Sequence, residues 1–156
     1  GSEMCIRDRD RTFNLLSIGY AGHMAYEKTA YYWRFVNTRS TVHRFHPDYF
    51  EACLNAAEAI KGAISAAWGD NDALQTAYLR QLIGGAFSAV CNYYYKTSPM
   101  SRAERTAAVR QLCQNRALRA AITRTGISDI RADWIMRQNA AMLGLYARAA
   151  NLKHGR

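Results

Sequence analysis

Apolar residues recur at helical spacing along most of the chain, and short polar or glycine-containing stretches separate the apolar runs. Residues three and four positions apart lie on one face of an α-helix, so this pattern predicts a mainly α protein. The predicted helices run from about Asp10 to Gly22, from 47 to 68 with Pro47 in the first turn, from 70 or 71 to about 96, from Ser101 to Gly126 with a kink near Asn115, and from a cap at Ser128 to about 146.

Two of these boundaries carry specific end signals. Gly69 should end one helix, and Asp70 or Asn71 should cap the next, because glycine suits a helix end and short polar side chains accept from free N–H groups. Ser101 and Glu104 form the S-x-x-E pattern of a capping box.

One stretch lacks helical spacing. "MAYEKTAYYWRF" (24–35) is rich in aromatic residues and predicts one or two β-strands, with Glu27 and Lys28 as a turn, and a polar loop, 37–46, follows. The expected fold is therefore a short helix and one or two strands in 10–46, followed by a bundle of four to five helices in 47–156.

Composition limits the class of protein. The 156 residues, 49% of them hydrophobic, suffice for one domain with a core. The longest nearly apolar run, 82–91, is shorter than the roughly 20 residues of a membrane-spanning helix. The four cysteines form no C-x-x-C pair and three lie in apolar stripes, which favours buried thiols over disulfides, a reducing compartment and no zinc site.

Positive charge is concentrated towards the C-terminus. Residues 99–156 hold 11 Lys/Arg and 3 Asp/Glu, a balance of +8, whereas residues 1–98 hold 10 and 9. We expect any basic partner surface in the second half, on the face formed by Arg102, Arg105, Arg116, Arg119 and Arg124. Such a surface suits peripheral contact with an anionic membrane, or it is a solvated helix face that keeps the bundle dispersed.

The first nine residues, "GSEMCIRDR", have no helical or strand periodicity. They resemble a translated sequencing-adapter string of the kind found at the ends of assembled metagenomic reads. We therefore interpret 1–9 as a non-native leader, and the chain as the tail of a longer protein.

The order of segments in 10–100 carries a family resemblance. A D-x-x-F-N helix start (Asp10, Phe13, Asn14) precedes an aromatic strand, a Ser-Thr loop with a histidine, and a helical tail containing "NYYYK" and "SPMSRAER". This order resembles the C-terminal part of a family 2, GT-A fold glycosyltransferase of bacterial surface-polysaccharide synthesis. Residues 10–46 would then be the remnant of the catalytic domain, and 47–156 a helical extension.

The resemblance implies roles for particular residues. Asp10 corresponds to the general base that accepts the acceptor hydroxyl proton, although Arg9 stands where the family has Glu. The loop donors would hold the diphosphate of the nucleotide sugar, and these are Arg34, Ser40, Thr41, His43 and Arg44. The intact enzyme would use Mg²⁺ or Mn²⁺ at an upstream Asp-x-Asp site, whereas this chain is expected to bind no metal and to be inactive alone.

Each assignment also has a structural alternative. Asp10 suits a plain helix start, Arg34 an ion pair, Ser40 and Thr41 a turn, and His43 an ordinary surface position. Tyr93–Tyr95 are expected to pack between layers rather than to bind sugar.

Two functions follow from these patterns. The first is part of a cytoplasmic or inner-membrane-associated transferase that moves a sugar from a nucleotide-diphosphate donor to a glycan or lipid-linked acceptor. The alternative is a small basic helical module that binds an anionic surface or nucleic acid, although nucleic acid is disfavoured because no recognition-helix motif is present.

Overall fold

The computed structural model describes residues 6–25 and 44–153, with side chains from residue 12 onwards. These residues form seven α-helices and no β-strand: α1 (Ile6–Tyr20), α2 (Tyr49–Trp68), α3 (Asp72–Tyr93), α4 (Arg102–Gln114), α5 (Arg116–Thr125), α6 (Ile130–Met136) and α7 (Ala140–Lys153). The mainly helical class is thus confirmed. Most of the predicted strand segment, 24–35, lies outside the described residues, and its first two positions, Met24 and Ala25, are not in a strand.

Helix α1 begins earlier than the sequence predicted. It starts at Ile6, so Asp10 lies one turn inside the helix rather than at its start. The predicted boundary between residues 9 and 10 falls within this helix. Gly19 of α1 lies so close to Ala67 and Trp68 of α2 that a Cβ at this position would collide with the Ala67 methyl.

Helices α2 and α3 form a hairpin whose turn follows the predicted end signals. Gly69 has a φ of 60°, which glycine adopts without steric cost, and its N–H donates to the Ser65 carbonyl. The Asn71 side chain accepts from the Leu74 N–H at 3.1 Å and caps α3. Pro47 lies before the Asp48 cap of α2 rather than in its first turn.

Helices α4 and α5 are separated where the sequence predicted a kink. The Ser101–Glu104 capping box is present, and Gly126 ends α5 in the left-handed conformation, as predicted. Asn115 has extended backbone, so it ends α4 and its side chain caps α5 by accepting from the Leu118 N–H at 3.0 Å. The kink is therefore a complete break between two helices.

The single last helix that was predicted is in fact two. Asp129, rather than Ser128, caps α6, because its carboxylate accepts from the Arg131 N–H at 2.8 Å. Gln138 then adopts a positive φ of 54°, and the Asn139 side chain accepts from the Met142 N–H and begins α7. The bundle in 49–153 accordingly has six helices instead of four to five.

The core surrounds α3, which packs against α2, α4, α5 and α7. Its largest fully buried side chains come from five of the six bundle helices or their ends, and include Ile83, Val90, Val109, Leu112, Leu118, Ile135 and Leu143. Gly144 lets α7 approach α3, because a Cβ at that position would stand 2.6 Å from Tyr94 Oη. Tyr93 and Tyr95 are buried, which confirms their predicted packing role.

Candidate anion-binding surface

The predicted donor loop lies almost entirely outside the described residues. Arg34, Ser40, Thr41 and His43 belong to that part of the chain, as does the Asp10 side chain, so their proposed roles stay predictions. Arg44 is described, and it is exposed just before the bundle.

The chain next to Arg44 is tied to the end of α3. Asn92 is fully buried, and its amide donates to the His46 carbonyl at 2.8 Å and accepts from the His46 N–H at 3.0 Å. The Phe45 N–H also donates to Thr97 Oγ1 at 3.3 Å. A buried amide paired on both sides in this way fixes the position of the backbone it holds.

Three of the five arginines predicted to form a basic face contact other parts of the chain instead. Arg124 pairs with Asp72 at 3.2 Å. Arg119 is half-buried and donates to the Cys113 and Met136 carbonyls, which end α4 and α6. Arg105 is half-buried and donates to the Ser98 carbonyl at 3.3 Å. Only Arg102 and Arg116 of the set are exposed and have no ion pair among the described residues.

Other exposed basic side chains also lie outside the ion pairs of the described residues. The described residues contain three ion pairs, and these involve Lys61, Arg124 and Arg131. The exposed arginines outside those pairs in the C-terminal region are Arg102, Arg110, Arg116, Arg137 and Arg148, which we call the unpaired arginines. They are distributed over α4, α5, α7 and the link before α7.

One aromatic ring gathers two guanidinium groups. The guanidinium carbon of Arg105 lies 5.7 Å from the centre of the Tyr94 ring, and that of Arg148 lies 5.6 Å from it. Tyr94 follows α3, Arg105 lies in the first half of α4, and Arg148 lies on α7, so three helices build this group. We call it the Tyr94 cluster. Arg148 was not among the residues predicted to form the basic face. Its position one turn after Gly144, where α7 comes close to Tyr94, is the feature that places it beside this ring.

A second arginine over aromatic rings is neutralised within the chain. Arg131 lies 4.1 Å from the Phe87 ring centre, and its Nε donates to Asp129 at 2.9 Å while its NH1 donates to Tyr146 Oη at 2.8 Å. These hydrogen bonds, led by the one that Arg131 donates to Asp129, raise the pKa of the Arg131 guanidinium, and the Arg131 side chain lowers the pKa of Asp129. This arginine holds α3, α6 and α7 together.

Neither metal ligation nor reactivity of the fully buried Cys113 is supported in the part of the chain that the structure describes. No group of three His, Cys, Asp or Glu residues there could hold a metal ion. Burial raises the pKa of the Cys113 thiol to about 11, so it is inert at neutral pH. Within the same residues, no helix is long and apolar enough to cross a membrane.

Two of the open cavities in the described bundle lie beside α2 and α3. One, of about 360 Å³, lies between α1, α2 and α3, and is lined by Asn14, Leu15, Ile18, Ile60 and Gln81. The other, of about 440 Å³, lies between α2, α3 and α5, and its lining combines alanine and leucine side chains with Glu58, Lys61 and Arg124. Neither is lined by the Tyr94 cluster or by Arg44.

Comparison with protein families, with curated proteins and with solved structures finds no match to this chain. Any assignment of function therefore rests on the residues of the chain itself.

Proposed function

We propose that this helical chain is a binding module that attaches to anionic membrane surfaces through its unpaired arginines. The observation that carries the proposal is the set of five exposed arginines in the C-terminal region that belong to no ion pair of the described residues. Arginines paired with carboxylates, as Arg124 is with Asp72, would serve a structural or solubilising role equally well.

The charge available is sufficient for reversible attachment. Each basic side chain near an anionic lipid surface contributes about 1 kcal/mol, so three that face the membrane together give about 3 kcal/mol. This attraction requires no inserted helix, and it weakens as salt screens it.

Vesicle co-sedimentation at low and high salt tests the proposal. The chain should sediment with phosphatidylserine-containing vesicles, not with phosphatidylcholine vesicles, and should be released at about 0.5 M salt, where the Debye length is roughly 4 Å. Binding that ignores lipid charge or salt would contradict the proposal, and preferential binding to duplex DNA would favour a nucleic-acid module instead.

A pair of charge-matched variants sharpens this test. Replacing Arg102 and Arg116 by Gln should weaken vesicle binding roughly thirtyfold, because two contributions of about 1 kcal/mol are removed. Replacing Lys61 and Arg80 by Gln removes the same charge from α2 and α3 and should weaken it much less. Equal losses would show that net charge, rather than this surface, governs attachment.

The sequence order supports a second proposal about the protein to which such a module belongs. In this proposal the chain is part of a family 2 glycosyltransferase, which transfers a sugar from a nucleotide-diphosphate donor to a glycan or lipid-linked acceptor. Attachment to an anionic membrane would bring such an enzyme to lipid-linked acceptors. In this reading Asp10 acts as the base, Arg34, Ser40, Thr41, His43 and Arg44 bind the diphosphate, and the intact enzyme uses Mg²⁺ or Mn²⁺.

Sequencing the uninterrupted genomic locus tests the transferase proposal. A nucleotide-binding sheet with an Asp-x-Asp motif encoded directly upstream of Asp10 would support it, and a start codon at this point would refute it. In the intact enzyme, Arg34→Ala and His43→Ala should lower turnover more than the nearby Thr38→Ala, because only the first two remove proposed diphosphate ligands.

A further inference from the structure

The Tyr94 cluster holds two positive charges without a carboxylate. Neither Arg105 nor Arg148 belongs to an ion pair of the described residues. The nearest acidic residue in sequence, Glu104, accepts from the Ser101 N–H and completes the capping box. The cluster therefore carries an uncompensated charge next to a half-buried ring.

Arg105 also has unused hydrogen-bonding capacity there. Its terminal nitrogen donates to the Ser98 carbonyl, but its Nε is buried and has no hydrogen-bond partner among residues 6–25 and 44–153. A buried N–H group of a charged side chain is costly to leave unpaired.

The Arg131 network shows how the same chain treats an arginine with a purely structural role. That guanidinium also lies over aromatic rings, yet Asp129 and Tyr146 occupy its donors. Both arginine groups lie over aromatic rings, but only Arg131 is paired with a carboxylate of the described residues.

We infer that the Tyr94 cluster is a phosphate-binding site, in which Arg105 and Arg148 bind a phosphomonoester group together. Guanidinium groups present several N–H donors in a fork that matches phosphate oxygens. The two guanidinium carbons of the cluster lie 5.7 and 5.6 Å from the centre of the same ring, and neither group has an internal anion among the described residues. The phosphate is either free in solution or part of a lipid headgroup. The inference rests on the proposed function, because it names the chemical group that the anionic surface would present.

Nuclear magnetic resonance with inorganic phosphate tests the site in solution. At constant ionic strength, phosphate should shift the Arg105 Nε–Hε resonance in a saturable way. Arg148→Gln should weaken this response at least tenfold, and Arg80→Gln, which removes an exposed charge from α3, should leave it unchanged. Arg148→Lys keeps the charge without the fork, so an intermediate loss is expected.

Vesicles distinguish the two sources of phosphate. Preference for phosphatidic acid over phosphatidylserine, lost in Arg148→Gln, identifies a lipid headgroup, whereas a response to inorganic phosphate without such a preference identifies free phosphate. The inference is overturned if neither probe gives a saturable response, or if Arg80→Gln weakens binding as much as Arg148→Gln. Thermal melts of each variant establish that it is folded, and Arg148→Lys provides the same comparison if the glutamine variant is not.

The outcomes also separate this site from membrane attachment. If phosphate binding depends on Arg148 but the chain never sediments with anionic vesicles, the site stands and the membrane proposal falls. If salt-sensitive sedimentation is present, no saturable phosphate response occurs, and Arg148→Gln weakens sedimentation only as much as the loss of any one unpaired arginine, the membrane proposal stands and the site falls.

Discussion

Replacing Arg131 by methionine should lower the free energy of unfolding by about 2–3 kcal/mol. Methionine keeps an apolar stem between α3 and α7 but removes the hydrogen bonds to Asp129 and Tyr146 and the stacking on Phe87. Breaking a buried ion pair costs about 3–5 kcal/mol. The side chains of this pair are 31% and 19% exposed, so about 1–2 kcal/mol is expected from the pair, and about 1 kcal/mol from the lost cation–π contact.

Urea unfolding followed by circular dichroism measures this change. With a slope of about 2 kcal/mol per molar urea, the midpoint should fall by roughly 1 M. Asp129→Asn separates the contributions, because asparagine still caps α6 but loses the charge, and it should cost about 1–2 kcal/mol. Arg80→Met, at an exposed position, should cost less than about 0.5 kcal/mol. A loss below 0.5 kcal/mol for Arg131→Met would place the contact among ordinary surface pairs and refute the reasoning.

Three further predictions follow from the packing and titration of single residues. In urea unfolding, Gly144→Ala should destabilise the fold by about 1 kcal/mol, because a clash with Tyr94 outweighs the gain in helix propensity. Gly84→Ala, with open space around it, should instead stabilise the fold by about 0.5–1 kcal/mol. The opposite order would refute the close approach of α7 to Tyr94. The lowered pKa of Asp129 adds stability that is present above about pH 4 and lost as pH falls through that pKa. Asp129→Asn should therefore reduce the fall in unfolding free energy at acid pH, and an unchanged fall would contradict the assignment. Cys113, with its pKa raised to about 11, should react with a thiol reagent at pH 8 only on unfolding, and native-state labelling at the rate of a free thiol would show that it is accessible.

Helix ends were predictable where a local side chain fixes them. The capping box at Ser101, the Asn71 cap and the glycine ends at 69 and 126 depend on residues a few positions apart, so the sequence contains the whole interaction. The break before α7 was not predictable in this way. It depends on Gln138 adopting a positive φ, which few residues other than glycine do, and no glycine or proline marks it.

The roles of the arginines depend on contacts that local spacing does not contain. Arg119 and Arg116 stand one turn apart and looked alike, yet the first reaches carbonyls of α4 and α6 while the second is exposed. The Tyr94 cluster likewise forms only when α3, α4 and α7 meet. The predicted diphosphate loop and strands lie mainly outside the described residues, so those predictions stay open.

The position of Arg119 has a consequence for local opening of the bundle. One nitrogen of this side chain donates to the last turns of both α4 and α6, at 3.3 and 3.1 Å, and its charge favours both negative helix ends. Fraying of either helix end therefore weakens the contact that holds the other. The amide protons in these two turns should exchange with solvent as one cooperative unit, with a shared opening free energy, even though Cys113 and Met136 are 23 positions apart in the sequence.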